Sequence, residues 1–170
     1  MKKTLFALVL MPAFAQAELA DLSLSIEIPR LQVAEYHRPY LAVWIETPAR
    51  KPLQSLAVWY DTEMKDQKGE KWLKDLRQWW RKDGRSADLP IDGVSSPTLP
   101  IGTHELQVAK VEIPSLADGQ YTLMVEAARE VGGRELIKIP FAWDGKTAVT
   151  AEAKGKSELG KITFSAQAAK

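Results

Sequence analysis

Alternation of apolar and polar side chains is the feature that most constrains the fold of this 170-residue chain. From Leu22 to Ile28, every second residue is leucine or isoleucine, and serine or glutamate lies between them. A period of two is typical of a β-strand that buries one face. The same reasoning predicts eight strands, over residues 22–28, 40–46, 55–60, 105–113, 120–127, 135–142, 147–153 and 161–165.

Turn signals separate these strands. The chain contains no asparagine, and the pairs Asp118-Gly119, Gly132-Gly133 and Asp144-Gly145 stand where strands end, so glycine is expected to supply the positive φ values. An irregularity is expected near Ala109, where the alternation of the fourth strand changes phase. Short strands joined in this way predict an all-β protein with two antiparallel sheets packed as a sandwich. We expect one domain over residues 18–166 and a disordered tail over 167–170.

One segment has the period of a helix instead. Its apolar residues recur at spacings of three and four, and they are Trp72, Leu73, Leu76, Trp79 and Trp80. This spacing predicts a single amphipathic α-helix over residues 70–83, inserted between the third and fourth strands. We expect it to end at Gly84, in the left-handed cap conformation that glycine tolerates.

Two interpretations of this helix remain open. In the first, the indoles cover the core and the basic face is solvated. In the second, the helix contributes to a partner-binding surface formed by Trp79, Trp80, Arg77 and Arg81.

The composition limits the chemistry of the chain. Cysteine is absent, which excludes disulfides, thiolate metal sites and thiol catalysis. His37 and His104 are the only histidines, and no hydrolase or phosphate-binding motif is present, so we predict neither a catalytic site nor an enzyme. Asp61, Glu63 and Asp66 lack the EF-hand spacing and have lysines beside them, so no metal site is predicted.

The first 17 residues have the layout of a secretory signal peptide. Lys2 and Lys3 precede an apolar run, and small residues at Ala15 and Ala17 predict cleavage after Ala17. The apolar run is too short to span a bilayer, so we expect a periplasmic protein with no stable membrane insertion after cleavage. Loss of the two lysines from the 23 basic residues leaves one cation fewer than the 22 acidic residues, which disfavours nucleic acid as a partner.

A proline-, glycine- and serine-rich loop over residues 85–102 follows the predicted helix. Loops of this length are usually functional or disordered. Within it, the segment DGVSSPT from Asp92 to Thr98 resembles the covalent flavinylation motif, in which an exported magnesium-dependent transferase links FMN to the last hydroxyl. The resemblance implies Thr98 as the acceptor, Ser95 as the preceding hydroxyl and Asp92 as the leading acid. Ser96-Pro97 replaces the Gly-Ala of that motif.

Several blocks of the chain together resemble a family of predicted periplasmic bacterial proteins of unknown function. The resemblance covers residues 22–143, through the blocks YLAVWIE, SLAVWY, KWLKDLRQWWR, DGVSSPTLPIG and GQYTLMVEAAREVGGRELIKIPF. It implies an Ig-like sandwich. It also implies a role beside periplasmic flavin redox systems, because members are often encoded next to flavin transferases and PepSY-type membrane proteins.

The function expected from these observations is that of an exported, non-enzymatic Ig-like domain. It would be an accessory or partner-binding protein of a flavin-linked electron-transfer system, with a flavin transferase or a PepSY-type membrane protein as partner and no cofactor of its own. One alternative is an electron carrier with covalent FMN on Thr98. A second alternative is a general periplasmic interaction domain unrelated to redox chemistry.

Overall fold

The structure, a computed structural model, describes residues 17–114 and 119–169. Nine β-strands form about half of this part of the chain and its helices are few and short, which confirms the all-β prediction. They are β1 (Ala17–Ile28), β2 (Tyr40–Glu46), β3 (Pro52–Tyr60), β4 (Ser95–Pro97), β5 (Gly102–Pro114), β6 (Gln120–Ala128), β7 (Arg134–Ala142), β8 (Val149–Lys154) and β9 (Lys161–Ala168). All eight expected strands are present, and β4 is an addition. Residues 1–16 of the expected signal peptide, Asp118 of one expected turn and Lys170 lie outside the described residues.

The strands form two sheets. The first has the order β5-β1-β9-β8, and every pairing in it is antiparallel. The second has the order β4-β3-β2-β6-β7, and only the short β3–β4 pairing is parallel. Leu24 of β1 and Val43 of β2 are fully buried in the same hydrophobic cluster, so the main core lies between the two sheets.

Two expectations about strand ends and irregularities can be compared with the structure. The β1–β5 register shifts between Ala20 and Leu22, and Lys110 has a φ of 57°, which confirms the irregularity near Ala109. The expected disordered tail is wrong at its start, because β9 continues to Ala168 and pairs there with Ala20 of β1.

The expected single α-helix over residues 70–83 is wrong. The segment Lys65–Asp75 is a 3₁₀ helix with non-helical φ values at Asp66 and Gln67, and Leu76 interrupts the helical conformation. A true α-helix, α1, covers only Arg77–Lys82. A further 3₁₀ turn, Gly84–Ser86, follows it.

The reason for the interruption is a buried carboxylate on β6. Glu126 is fully buried, and its oxygens accept hydrogen bonds from the backbone N–H groups of Gln78 and Trp79 at 2.8–3.0 Å. Arg134 forms an ion pair with the same carboxylate. In a continuous helix those N–H groups would bond to carbonyls one turn earlier, so the contact with Glu126 fixes the start of α1.

The first interpretation of the helical segment, in which its apolar face covers a core, is confirmed for its buried residues. Leu73, Leu76 and Trp79 are fully buried in a second hydrophobic cluster with Trp44 of β2 and Met124 of β6. This cluster covers the face of the second sheet that points away from the main core.

The structural reason for glycine at position 84 differs from the expected one. It does not have a positive φ, so the left-handed cap prediction is wrong. A Cβ at Gly84 would overlap the indole ring of Trp79, whose Nε1 donates to Ser55 Oγ at 2.9 Å. Glycine therefore allows close packing of the ring rather than an unusual backbone conformation.

Candidate functional site

A cleft of about 650 Å³ opens at one end of the second sheet. Tyr40 begins β2 and pairs with Ala128 at the end of β6, while Asp61 follows β3 and Thr98 follows β4. All four residues line the cleft. The strand order of the sheet therefore brings together segments that are far apart in the sequence.

Exposed apolar side chains are concentrated in this cleft. In the described part of the chain, five large hydrophobic residues are exposed, and three of them line the cleft. These are Met64 at 38%, Trp72 at 47% and Val131 at 80% exposure. A local group of exposed apolar residues is typical of a surface that contacts a ligand or another protein.

Val131 lies in the turn between β6 and β7 in an unusual conformation. Its φ of 52° is rare for a β-branched residue, and backbone strain of this kind is often found at functional sites. The expectation that Gly132-Gly133 supplies the positive φ is wrong. A Cβ at Gly132 would overlap the guanidinium of Arg129, and Gly133 N donates to Glu158 Oε1 at 2.8 Å.

The same turn is held by a buried ion pair. Arg129 Nε lies 2.8 Å from Glu158 Oε2, and Nη2 lies 3.2 Å from Oε1, with side-chain exposures of 5% and 4%. The guanidinium carbon also lies 5.9 Å from the ring centre of Tyr36, and burial raises the pKa of that phenol. This bidentate pair joins the β8–β9 loop to the wall of the cleft.

Two polar residues from the loop before β2, His37 and Arg38, also line the cleft. Arg38 Nη1 donates to the backbone oxygen of Thr98 at 3.5 Å. His37 lies between two carboxylates, with Nε2 3.1 Å from Glu35 Oε1 and Nδ1 3.6 Å from Glu130 Oε2. The loop before β2 is thereby connected both to the segment after β4 and to the β6–β7 turn.

Tyr40, which lines the cleft, packs against a second tyrosine, Tyr60. The rings of Tyr40 and Tyr60 meet edge to face with centres 6.3 Å apart. Burial raises the pKa of both phenols, although a hydrogen bond with the backbone of Asp61 partly opposes this at Tyr40 and one with Ser95 opposes it at Tyr60. Both side chains are therefore neutral at ordinary pH.

The flavinylation-like motif is divided between two environments. Thr98 lines the cleft, whereas Asp92 is exposed in the turn before β4 and does not. Ser95 Oγ accepts a hydrogen bond from Ile91 N at 2.9 Å and also bonds with Tyr60, so Ser95 stabilises the turn. Of the three candidate cofactor residues, only Thr98 reaches the cleft.

The expected partner surface on the helix is wrong for Trp79, which is fully buried. Trp80 is partly buried and packs against the second cluster. Arg77 and Arg81 are exposed, and Arg81 bonds to the backbone oxygen of Arg77 at 3.2 Å. None of these four residues lines the cleft.

Trp72 is exposed, although the helical spacing predicts that it is buried. A continuous helix would have put it on the buried face, but the 3₁₀ conformation turns it outward. Lys74 Nζ lies 5.8 Å from the centre of its ring. No sequence signal distinguishes Trp72 from Trp79, because the difference depends on where Glu126 starts α1.

Two further observations concern metals and membranes. Within residues 17–114 and 119–169, no group of three or more histidine or acidic side chains is arranged to hold a metal ion. In the same part of the chain, no helix has the length and hydropathy needed to cross a bilayer.

Fold and cleft together define an all-β domain with an open cleft at one end of its second sheet. The family model described as "Predicted periplasmic protein (DUF2271)" matches residues 21–161, and the chain belongs to this family. It is accordingly a periplasmic protein, as its sequence predicted. No curated protein and no solved structure matches it.

Proposed function

We propose that this protein is a non-enzymatic Ig-like binding domain that serves as an accessory protein of a periplasmic flavin-linked electron-transfer system. Its partner binds at the cleft. The observation that carries the proposal is the concentration of Met64, Trp72 and Val131 in one open cleft. Rigid strands hold the loops that carry these residues, and this is how sandwich domains commonly present a binding surface.

The proposed contact surface replaces the one suggested by the sequence. Trp72 takes the place of Trp79 and Trp80, and Arg38 takes the place of the arginines on α1. The class of partner comes from the sequence resemblance, which implies a flavin transferase or a PepSY-type membrane protein. The strained turn at Val131 supports the site, because strain is retained where a particular arrangement is needed.

Site-specific photocrosslinking tests this proposal. A photoreactive amino acid at position 131 should crosslink to a flavin transferase or PepSY-type protein in intact periplasm. The control position is Leu19, which is also an exposed apolar residue but does not line the cleft. Equal crosslinking from both positions, or no redox partner at position 131, contradicts the proposal.

A second candidate function is a covalent FMN carrier. The specific observation in its favour is that Thr98, the acceptor residue of the flavinylation-like motif, lines the cleft with Trp72. The isoalloxazine would stack on the indole, and Arg38, which contacts the backbone of Thr98, would pair with the phosphate. Ser96 and Pro97 lie in or at the end of β4, where the motif has smaller residues.

The attachment step needs a flavin dinucleotide donor. The Thr98 hydroxyl oxygen would attack the flavin-side phosphorus, the pyrophosphate bond would break, and a nucleoside monophosphate would leave as the hydroxyl proton is lost. Nothing is oxidised or reduced in this step. The product is a phosphoester whose mass exceeds that of the unmodified chain by one FMN less one water.

Intact mass spectrometry after co-expression with a flavin transferase distinguishes this candidate. An adduct that is lost in Thr98→Ala and kept in Ser95→Ala supports it. Replacing Ser96 by glycine and Pro97 by alanine should increase the modified fraction, because smaller residues give the transferase better access. Absence of any adduct, or an adduct that persists in Thr98→Ala, rules it out.

A further inference from the structure

The charges around the cleft are unequal. Asp61, Glu63, Asp75 and Glu130 line it, and so does Arg38. The other lining guanidinium, that of Arg129, is already paired with Glu158 outside the cleft lining. Among the residues that line the cleft, carboxylates therefore outnumber the available cations.

Three of these carboxylates lie in the two lining segments that carry Met64 and Trp72, and we call these segments, 61–64 and 72–75, the acidic wall. Asp61, Glu63 and Asp75 form no ion pair with another residue of the described chain. They are close in sequence to Met64 and Trp72, so apolar side chains and carboxylates without an ion pair occur in the same segments of the cleft lining. An occupant that covered this wall without supplying cations would have to desolvate the carboxylates, which is unfavourable.

We infer that the cleft receives a positively charged segment of the partner protein, whose aromatic or aliphatic side chain inserts among Met64, Trp72 and Val131 while its lysine or arginine residues pair with Asp61, Glu63 and Asp75. This inference rests on the proposed function and specifies the chemistry of the partner. Acidic rims around apolar pockets select basic partners and repel acidic ones.

The dimensions of the cleft favour a peptide segment over a single small cation. A volume of about 650 Å³ is that of a site for a ligand with several groups. The apolar and acidic residues are spread over segments 61–64, 72–75 and 128–131, so an occupant that fills the cleft would contact all three. Met64 suits such a site, since a flexible thioether adapts to side chains of different shape.

Binding of two matched peptides tests the inference. The probes are acetylated and amidated Lys-Tyr-Lys-Phe-Lys-Gly and its counterpart Glu-Tyr-Glu-Phe-Glu-Gly, which have the same aromatic residues and opposite charge. The lysine peptide should shift the indole N–H resonance of Trp72 on titration, and the glutamate peptide should not. The affinity of the lysine peptide should fall several-fold when salt is raised to about 0.5 M, because screening weakens exposed charge pairs.

Variants that remove charge test whether the acidic wall binds the lysine peptide. Glu63→Gln with Asp75→Asn keeps the shape of the side chains and should weaken binding of the lysine peptide by about fivefold or more. The matched control is Glu105→Gln with Glu112→Gln, which removes two exposed carboxylates from β5, outside the cleft. The control should bind as the unaltered protein does.

Failure of the inference is distinguishable from failure of the proposed function. Absent binding of the lysine peptide, equal binding of both peptides, or equal loss in the variant and its control overturns the inference. If position 131 still crosslinks to a redox partner, only the charge preference is wrong. If the lysine peptide binds as expected but no redox partner is captured, the cleft is a basic-peptide site and the flavin-linked role is wrong.

Discussion

At the scale of single residues, Glu126 decides where the helix begins. Its carboxylate is fully buried, accepts from the N–H groups of Gln78 and Trp79, and pairs with Arg134. Glu126→Gln keeps the size but removes the charge and places an amide N–H₂ group against backbone donors. We expect the free energy of unfolding to fall by about 2–4 kcal/mol.

Denaturant unfolding measures this effect. The control is Glu112→Gln on β5, where an exposed carboxylate should change the stability by roughly 0.5 kcal/mol or less. Equal stabilities of the two variants would show that Glu126 does not determine the position of α1.

Asp144 is a second residue with a measurable consequence. Hydrogen bonds from the backbone N–H and hydroxyl of Thr147, and from Lys146 N, lower the pKa of this carboxyl from its ordinary value of 3.8 to about 2. Since the folded-state pKa is depressed, its stabilising effect is present above pH 3.8 and is lost as the pH falls towards 2.

Thr147→Val tests the cause of the shift. It removes the hydroxyl bond of 2.7 Å and leaves the two backbone bonds, so the pKa of Asp144 should rise part of the way to its ordinary value. Carboxyl carbon NMR across an acid titration follows this, with Thr150→Val on β8 as the control. An unchanged pKa in Thr147→Val would mean that the backbone donors alone set it.

At the scale of elements, the strands were predictable and the helical segment was not. The period of a strand is local, and it locates β2 to the residue although both faces of β2 are buried, one in each hydrophobic cluster. The helical segment depends instead on a contact between residues 48 positions apart, which no local spacing reveals. β4 was missed because three residues paired in parallel with β3 give no alternation.

The packing of α1 against the turn that follows it gives a prediction at this scale. Gly84→Ala should destabilise the protein by about 1–3 kcal/mol, because its Cβ would overlap the Trp79 ring and the core would have to shift. The same change in a Trp79→Leu background should cost much less, since the overlapping ring is absent. A double-mutant cycle by chemical denaturation measures the difference. Equal costs in both backgrounds would place the strain elsewhere.

At the scale of the whole molecule, the sequence defines the compartment and the fold class but only one residue of the site. Thr98 was a candidate from its motif and lies in the cleft. Met64, Trp72 and Val131 were not candidates, because each acquires its significance from segments that meet only when the second sheet assembles. Exposure of an apolar residue is a tertiary property, and alternation or helical spacing predicts burial for such residues by default.

Substitutions of two tryptophans in the same segment should therefore have different effects, one on stability and the other on partner binding. Trp79→Ala should lower the free energy of unfolding by about 3–5 kcal/mol, because it removes a fully buried indole and its bond to Ser55. Trp72→Ala should cost no more than about 1 kcal/mol, because nearly half of that side chain is already exposed. The same Trp72 variant should lose crosslinking from position 131, since its indole is part of the proposed contact surface.

The two measurements together test the separation. A large loss of stability in Trp72→Ala would mean that Trp72 supports the fold. Unchanged crosslinking in that variant would mean that Trp72 does not belong to the binding site. One short segment can serve both roles because Glu126 interrupts the helix. Trp79 then faces the sheet, and Trp72 faces the cleft.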